Sequence, residues 1–182
     1  MAEVLERGSR VHLRRLRAED EEAFLSMVAT STALHRPWTS PPADADGFRD
    51  LLSRSRRDDF RSLVGWRTDD NVLAAVVNLS QIFRGSFHSC YSGFYANAAT
   101  AGQGLTRETL DLALRYAFET EALHRIEANV QPANAASLAL VRRAGFRHEG
   151  FSPRYLQVDG QWRDHERFAI TVEDWRARSH QE

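Results

Sequence analysis

Apolar and polar positions first fall into a regular pattern at Val11 to Leu16, where their alternation predicts a half-buried strand. The spacing then lengthens, so that Phe24, Met27 and Val28 mark one face of a helix. Three of the five prolines crowd into His35-Arg-Pro-Trp-Thr-Ser-Pro-Pro42, which predicts a loop, and Phe48, Leu51 and Leu52 resume a helical stripe beyond it. Two β-rich runs follow, Arg61 to Trp66 and Val72 to Ile82, with Asp69-Asp70-Asn71 as the hairpin turn between them. After the loop Phe83-Arg-Gly-Ser86, residues His88 to Asn97 read as another strand.

Helical spacing returns at Gly104, where Leu105, Thr109, Leu112, Ala113, Tyr116 and Ala117 share a face, and Arg125 to Val130 forms a short β segment. Ala136, Leu140 and Ala144 mark a further helix that Gly145 can end in a left-handed conformation. Tyr155 to Val158 and Gln161 to Ile170 flank Asp159-Gly160, the signature of a type I′ hairpin. The order β-α-α-β-β-β-α-β-α-β-β, without an internal repeat or linker, predicts a mixed sheet covered by helices.

A chain of 182 residues with 42% apolar composition can bury one sizeable core, so a single domain over 1–182 is expected. Its formal charge of −1, from 24 basic and 25 acidic residues, supplies no whole-molecule field toward nucleic acid or anionic membrane. All the basic residues other than histidine are Arg. The lone Cys90 rules out an internal disulfide, Met1 to Arg10 lacks the apolar core of a signal peptide, and no run approaches a membrane span. A cytoplasmic location is expected, with no membrane, metal or direct nucleic-acid partner.

The segment Ala101-Gly-Gln-Gly-Leu-Thr-Arg-Glu108 stands between a strand and a strongly periodic helix. Without side chains at Gly102 and Gly104, backbone N–H groups from Gly102 through Gln103, Gly104 and Leu105 to Thr106 can converge on an anion such as a pyrophosphate, with the positive end of the helix behind them. A dinucleotide or P-loop site fits less well, because the third glycine and a Gly-Lys-Ser/Thr sequence are both absent. Taken alone, these glycines are more simply read as shaping a plain tight βα turn.

The run Ala99-Thr-Ala-Gly-Gln-Gly104 resembles the acetyl-CoA loop of the Gcn5-related N-acetyltransferase (GNAT) superfamily, Gln/Arg-x-x-Gly-x-Gly/Ala, with Ala99 in place of the usual polar residue. Asn134-Ala-Ala-Ser137 and Arg143-Ala-Gly-Phe146, roughly thirty residues later, resemble the second half of that signature. Three longer stretches, Asn78 to Tyr91, Leu123-His-Arg-Ile126 and Tyr155 to His165, are similar to the RimJ/RimL branch, which includes ribosomal-protein-alanine N-acetyltransferases. The resemblance implies an α/β (α+β) GNAT fold: a mixed, mostly antiparallel, twisted sheet of six to seven strands, about four helices and a splayed parallel strand pair. Acetyl-CoA is then the cosubstrate.

The same resemblance implies roles for individual residues. Pantetheine would pair with the backbone of Phe94, Tyr95 and Ala96, and Asn134 would meet its amides or cap the helix. Val141 occupies the position of the Tyr that assists the thiolate in many members, so Ser137 is the candidate there, and a hydrogen bond suffices because a thiol with pKa near 8.5 leaves readily. The positions aligned with carboxylate bases hold Tyr91 and Leu156, which leaves His88, His35, Glu149 or a water as alternatives. Trp38, Phe83, Arg84 and Tyr91 are expected at the acceptor, whereas Tyr155, Trp162 and Arg163 are expected to pack, Arg54, Arg56 and Arg57 to face solvent, and Cys90 to be a buried strand thiol.

The implied reaction is direct attack of a primary amine on acetyl-CoA in a ternary complex, with the N-terminal α-amine of a protein as acceptor. A small amine (polyamine, amino acid or aminoglycoside) is the alternative acceptor. A CoA-binding or ribosome-associated module without turnover is the alternative class, motivated by Ala99, Val141 and the lack of an obvious base. A homodimer is left open.

Overall fold

The computed structural model describes residues 3–179. Their strands are β1 (Glu6–Arg7), β2 (Val11–Arg15), β3 (Phe60–Arg67), β4 (Leu73–Phe83), β5 (Ser89–Ala96), β6 (Arg125–Val130), β7 (Arg147–Val158) and β8 (Gln161–Thr171). They form one sheet in the order β1-β2-β3-β4-β5-β6-β8-β7. Neighbours are antiparallel except β5 and β6, which run parallel. The helices are α1 (Glu21–Thr30), α2 (Thr32–His35), α3 (Ala45–Arg54), α4 (Leu105–Arg115), α5 (Ala135–Arg143) and α6 (Val172–Ser179).

The sheet divides the core in two. On one side Phe24, Met27, Phe48 and Leu51 of α1 and α3 pack on Val64, Val76 and Tyr95. On the other, Leu105, Leu110, Leu114 and Val141 of α4 and α5 pack on Leu63, Val77, Leu79, Ile126 and Phe168. Both helical faces are those expected from the 3.6-residue periodicity.

Eight strands and six helices among the described residues exceed the expected six to seven and about four. Two residues of β1 and four of α2 are too short to show a period. The C-terminal α6 buries only Val172 and Trp175 against the core, the latter against Phe118 with ring centroids 5.5 Å apart, and is tied down further by Arg147 on Asp174 and by Arg178 on Ala144 O. The hairpin strand begins at Arg147 instead of Tyr155, because pairing with β8 carries a mostly exposed segment whose own pattern does not alternate. Between its strands, Asp159 (φ 48°) and Gly160 (φ 74°) form the left-handed turn that Asp-Gly predicts.

One buried carboxylate stitches the far end of the sheet. Glu121 accepts hydrogen bonds from Arg61 Nε (2.6 Å), Arg84 Nη2 (2.6 Å) and the Tyr116 hydroxyl (2.7 Å), and these partners hold its pKa below the usual carboxylate value despite burial. Arg84 is thereby committed to the fold.

Candidate functional site

The parallel ladder between β5 and β6 is short. It pairs Ser89 with Arg125, Cys90 with Ile126 and Tyr91 with Glu127, and there it stops. Both strands continue, β5 to Ala96 and β6 to Val130, while β5 keeps its antiparallel partner β4 as far as Ala75↔Ala96. The edge of β5 beyond Tyr91 that faces β6 therefore has no strand across from it. Ser92 Oγ donates to Glu127 O at 3.2 Å in the crotch of this fork. The fork opens into a cleft of about 1150 Å³ whose walls include Phe94, Tyr95 and Ala96.

The outer end of the cleft is the turn into α4. Gly102 (φ 75°) and Gly104 (φ 81°) both take the left-handed conformation that side chains disfavour. A Cβ at Gly102 would meet nothing within 4 Å, and one at Gly104 would meet only Arg10 Nη2 at 3.2 Å. The first i to i−4 bond of α4 runs from Glu108 N–H to Gly104 O, so the amides of Leu105, Thr106 and Arg107 are the orphan donors of a helix start. Gln103 N–H is already bonded to Thr100 O, so this amide of the expected cradle is used within the turn. The Gln103 side chain bonds Ala99 O and Arg67, and the Leu105 side chain is buried in the core, so only main chain at these two positions belongs to the turn.

Four arginines border the cleft without having been given a role from the sequence: Arg10, Arg107, Arg115 and Arg143. Arg10 is positioned by its Nη1 on Gln103 O (2.9 Å) and by Glu108, which also accepts Arg10 N–H at 2.7 Å. Arg107 and Arg143 lie within the two motif segments, but Arg10 carries no local signal, because the residue before strand β2 and the start of helix α4 meet only in the fold.

Asn134 and Ser137 reach the cleft from the start of α5. Asn134 Oδ1 accepts Ser137 N–H at 3.1 Å, so the side chain caps the helix. Val141, one turn further on, is fully buried in the core and offers the cleft nothing. Tyr95 borders the cleft through its strand, but its ring packs against Phe24 and His35 at 6.1 and 5.7 Å, and burial raises its phenol pKa.

The acceptor residues expected from the sequence separate. Trp38 lines the cleft, its carbonyl accepting from Gln131 Nε2 at 3.1 Å, and its loop is tied to the β7–β8 turn by Arg36 Nη1 on Asp159 Oδ2 at 2.7 Å. Phe83, Arg84 and Tyr91 are not among the residues lining it. The β4–β5 connection leads into the end of β5 where the parallel ladder is closed, away from the fork. There Phe83 is half exposed against Phe87 and Arg84 is bound by Glu121. Burial and contact with Tyr155 push the Tyr91 hydroxyl up to about 12.

The alternatives for a base separate in the same way. Glu149 is clamped by Arg125 and Arg147, which hold its carboxyl down at about 2, and neither it nor His88 lines the cleft. His35 does line it, with Nε2 2.7 Å from Ala96 O. A carbonyl only accepts, so Nε2 carries the proton, and the remaining lone pair on Nδ1 is sealed from the cleft without a partner. Burial lowers the pKa of this ring. Another cleft histidine, His165 of β8, was not singled out as a base from the sequence. Cys90 is a buried strand thiol whose pKa burial pushes up to about 12. Among the described residues, no cluster of three or more His, Cys, Asp or Glu could hold a metal, and no helix is long and apolar enough to cross a membrane.

A family model described as acetyltransferase (GNAT) domain matches residues 10–147. [Ribosomal protein uS5]-alanine N-acetyltransferase of Escherichia coli K12 is 45% identical over 107 residues, 59% of this chain and 55% of that protein, so the match spans about half of that relative's length. The probable N-acetyltransferase YjcK of Bacillus subtilis is 29% identical over 176 residues, 92% of this chain and 97% of its own. Among solved structures, Mycobacterium smegmatis RimJ in complex with CoA-disulfide superposes with a TM-score of 0.79 at 30% identity, covering 90% of this chain and 83% of that one.

Proposed function

The chain belongs to the GNAT acetyltransferase family, and on that premise we propose that it transfers an acetyl group from acetyl-CoA to the N-terminal α-amine of a protein. The observation that carries this reading is the fork, where β5 loses its parallel partner at Tyr91↔Glu127 yet stays paired with β4, leaving one strand edge facing a cleft that ends in a two-glycine helix start. The residues fit a CoA-type ligand: the space beside Gly102 holds no protein atom within 4 Å, and Arg143 borders the cleft together with Arg10 and Arg107, whose ion-pair partners Glu108 and Asp111 line it too. Acetyl-CoA, when bound, supplies the thioester whose acyl group is transferred.

In this proposal the amides of Gly102, Gly104, Leu105 and Thr106 receive the pyrophosphate, each charge-assisted bond contributing about 1.5–3 kcal/mol. Main chain at Phe94, Tyr95 and Ala96 holds the pantetheine amides as an added strand would. Asn134 has spent its Oδ1 on the α5 cap and retains its NH2 as a donor toward the same arm. Ser137, whose hydroxyl makes no hydrogen bond among the described residues, donates to the departing sulfur, and Trp38 walls the acceptor side.

The α-amine follows from proton chemistry together with the uS5-alanine specificity named for the Escherichia coli relative. Only a neutral amine can attack. An α-amine with pKa about 7.8 is roughly one-seventh neutral at pH 7, whereas a lysine near 10.4 is about 0.04% neutral, a difference of about 3.5 kcal/mol. The carboxylate of Glu149, clamped by two arginines and titrating near 2, cannot close that gap.

A competition assay tests the proposal: a peptide with a free N-terminal Ala and an internal Lys is offered with acetyl-CoA at pH 7, and mass spectrometry locates the acetyl group. The expected product carries it on the N-terminus. Acetylation mainly on Lys would defeat the α-amine reading, and turnover of spermine with neither peptide site modified would replace it with a small-amine acceptor. No thiol release with any acceptor would reduce the chain to a CoA-binding module.

A further inference from the structure

His165 belongs to none of the sequence motifs assigned a role in catalysis. The ring is buried, only 3% exposed, yet it borders the same cleft as Ser137 and Trp38. It sits on β8 one residue beyond the Val130↔Glu166 pair, where β6 leaves the sheet toward Gln131 and the α5 cap. By the alternation of a strand it points away from the face on which Phe168 and Ile170 pack under the helices. The neighbouring Gln131 side chain holds the Trp38 loop.

The hydrogen bonding of this ring is opposite to that of His35. His165 Nδ1 lies 2.9 Å from the carbonyl of Arg163 on its own strand. Because that carbonyl only accepts, Nδ1 carries the proton, and the lone pair resides on Nε2. Nε2 has no partner among the described residues and, unlike His35 Nδ1, is not sealed away from solvent. His35 thus offers the cleft no free lone pair, and His165 offers one, with its orientation and tautomer set by the backbone.

We propose that His165 is the general base of this acetyltransferase, taking the proton from the acceptor amine through Nε2. The inference rests on the amine-acetylation reading above. The bound ammonium first gives one proton to Nε2, and the neutral amine then attacks, the C–S electron pair leaving on sulfur as the C–N bond forms. A second nitrogen proton goes to the sulfur and the imidazolium releases its own to solvent, so the balance is ammonium plus thioester to amide plus thiol plus one proton. Burial dominates and lowers the pKa of the ring, Tyr155 of β7 presents an uncharged ring at 6.3 Å, and the Arg163 carbonyl on Nδ1 and Asp164 beside it act in the opposite sense.

The test uses the full chain with an N-terminal-Ala peptide and acetyl-CoA. His165→Asn keeps an N–H for the Arg163 carbonyl and removes Nε2, and His165→Ala with added imidazole serves as the second variant. With the base present, the protonated α-amine is used directly, so the wild-type kcat/KM is expected to be level from about pH 6.5 to the amine pKa near 7.8. In His165→Asn only amine that is already neutral reacts, so kcat/KM falls about 100- to 10,000-fold and climbs about tenfold per pH unit up to 7.8. CoA affinity by calorimetry stays within threefold of wild type, and imidazole restores turnover to His165→Ala. A merely structural role would lower activity without changing the profile's shape. Wild-type turnover with an unaltered profile in the variant overturns the assignment of His165 alone, whereas no transfer to any amine by the wild type overturns the acetylation reading with it.

Discussion

Replacing Gly102 with Ala separates two effects that usually arrive together. At φ 75° an L side chain is strained, and since a Cβ there meets nothing within 4 Å, strain is the whole effect on the free protein. That strain is about 1–2 kcal/mol, which for a domain of this size lowers Tm by roughly 2–8 °C. It is present with and without ligand and so cancels from the binding constant. Affinity changes only because the new methyl group occupies the space next to the helix start. If a pyrophosphate lies there, loss of one charge-assisted amide bond worth about 1.5–3 kcal/mol raises the Kd for CoA about 10- to 150-fold. Gly85 supplies the control: at φ 73°, with nothing within 4 Å and a place in the β4–β5 turn, it is subject to the same strain away from the cleft. Gly85→Ala is expected to lower Tm by a similar amount and leave Kd unchanged. The assay is a thermal melt of each free variant followed by calorimetric titration with CoA. A folded Gly102→Ala protein with wild-type affinity would refute the placement of the phosphates.

Ser137→Ala is expected to lower kcat by about 5- to 150-fold, the effect of roughly 1–3 kcal/mol, with little change in CoA affinity, because charge on sulfur develops only toward the transition state; full kcat in single-turnover measurements would remove Ser137 from the chemistry. The pH dependence of stability follows from His12, His35 and His165, whose pKa values burial lowers below 6.5 in the folded chain. Above pH 6.5 these rings are neutral in both states, but as pH falls below it the unfolded chain binds protons that the folded chain refuses. Stability therefore decreases from pH 6.5 downward, by at most about 1.4 kcal/mol per unit for each ring. Urea midpoints at pH 7.5 and 5.5 check this, with His35→Gln expected to shrink the difference, and a higher midpoint at pH 5.5 would contradict the sign.

Much of this protein was legible along the chain, because the deciding signals span only a few residues. Periodicities of two and 3.6 located the strands and the longer helices, Asp159-Gly160 its hairpin, Gly102 and Gly104 the start of α4, and Asn134 the cap of α5, since each depends on steric preferences and hydrogen bonds within one turn of backbone. The order of those motifs was also enough to point to the family. Tertiary structure decided the rest. Phe83 and Arg84 border the same strand as the cleft, but the register of β5 on β6 determines which end of that strand opens, and pairing partners 36 residues apart are invisible to a local pattern. Glu121 claims Arg84 from across the fold. Three helix-length or sheet-edge details, β1, α2 and α6, escaped because their stability comes from docking and not from their own spacing. The histidines differ most. In sequence His35 and His165 are equivalent imidazoles, and only the carbonyl that each meets, Ala96 O at Nε2 or Arg163 O at Nδ1, determines which nitrogen keeps a lone pair and whether it faces the cleft.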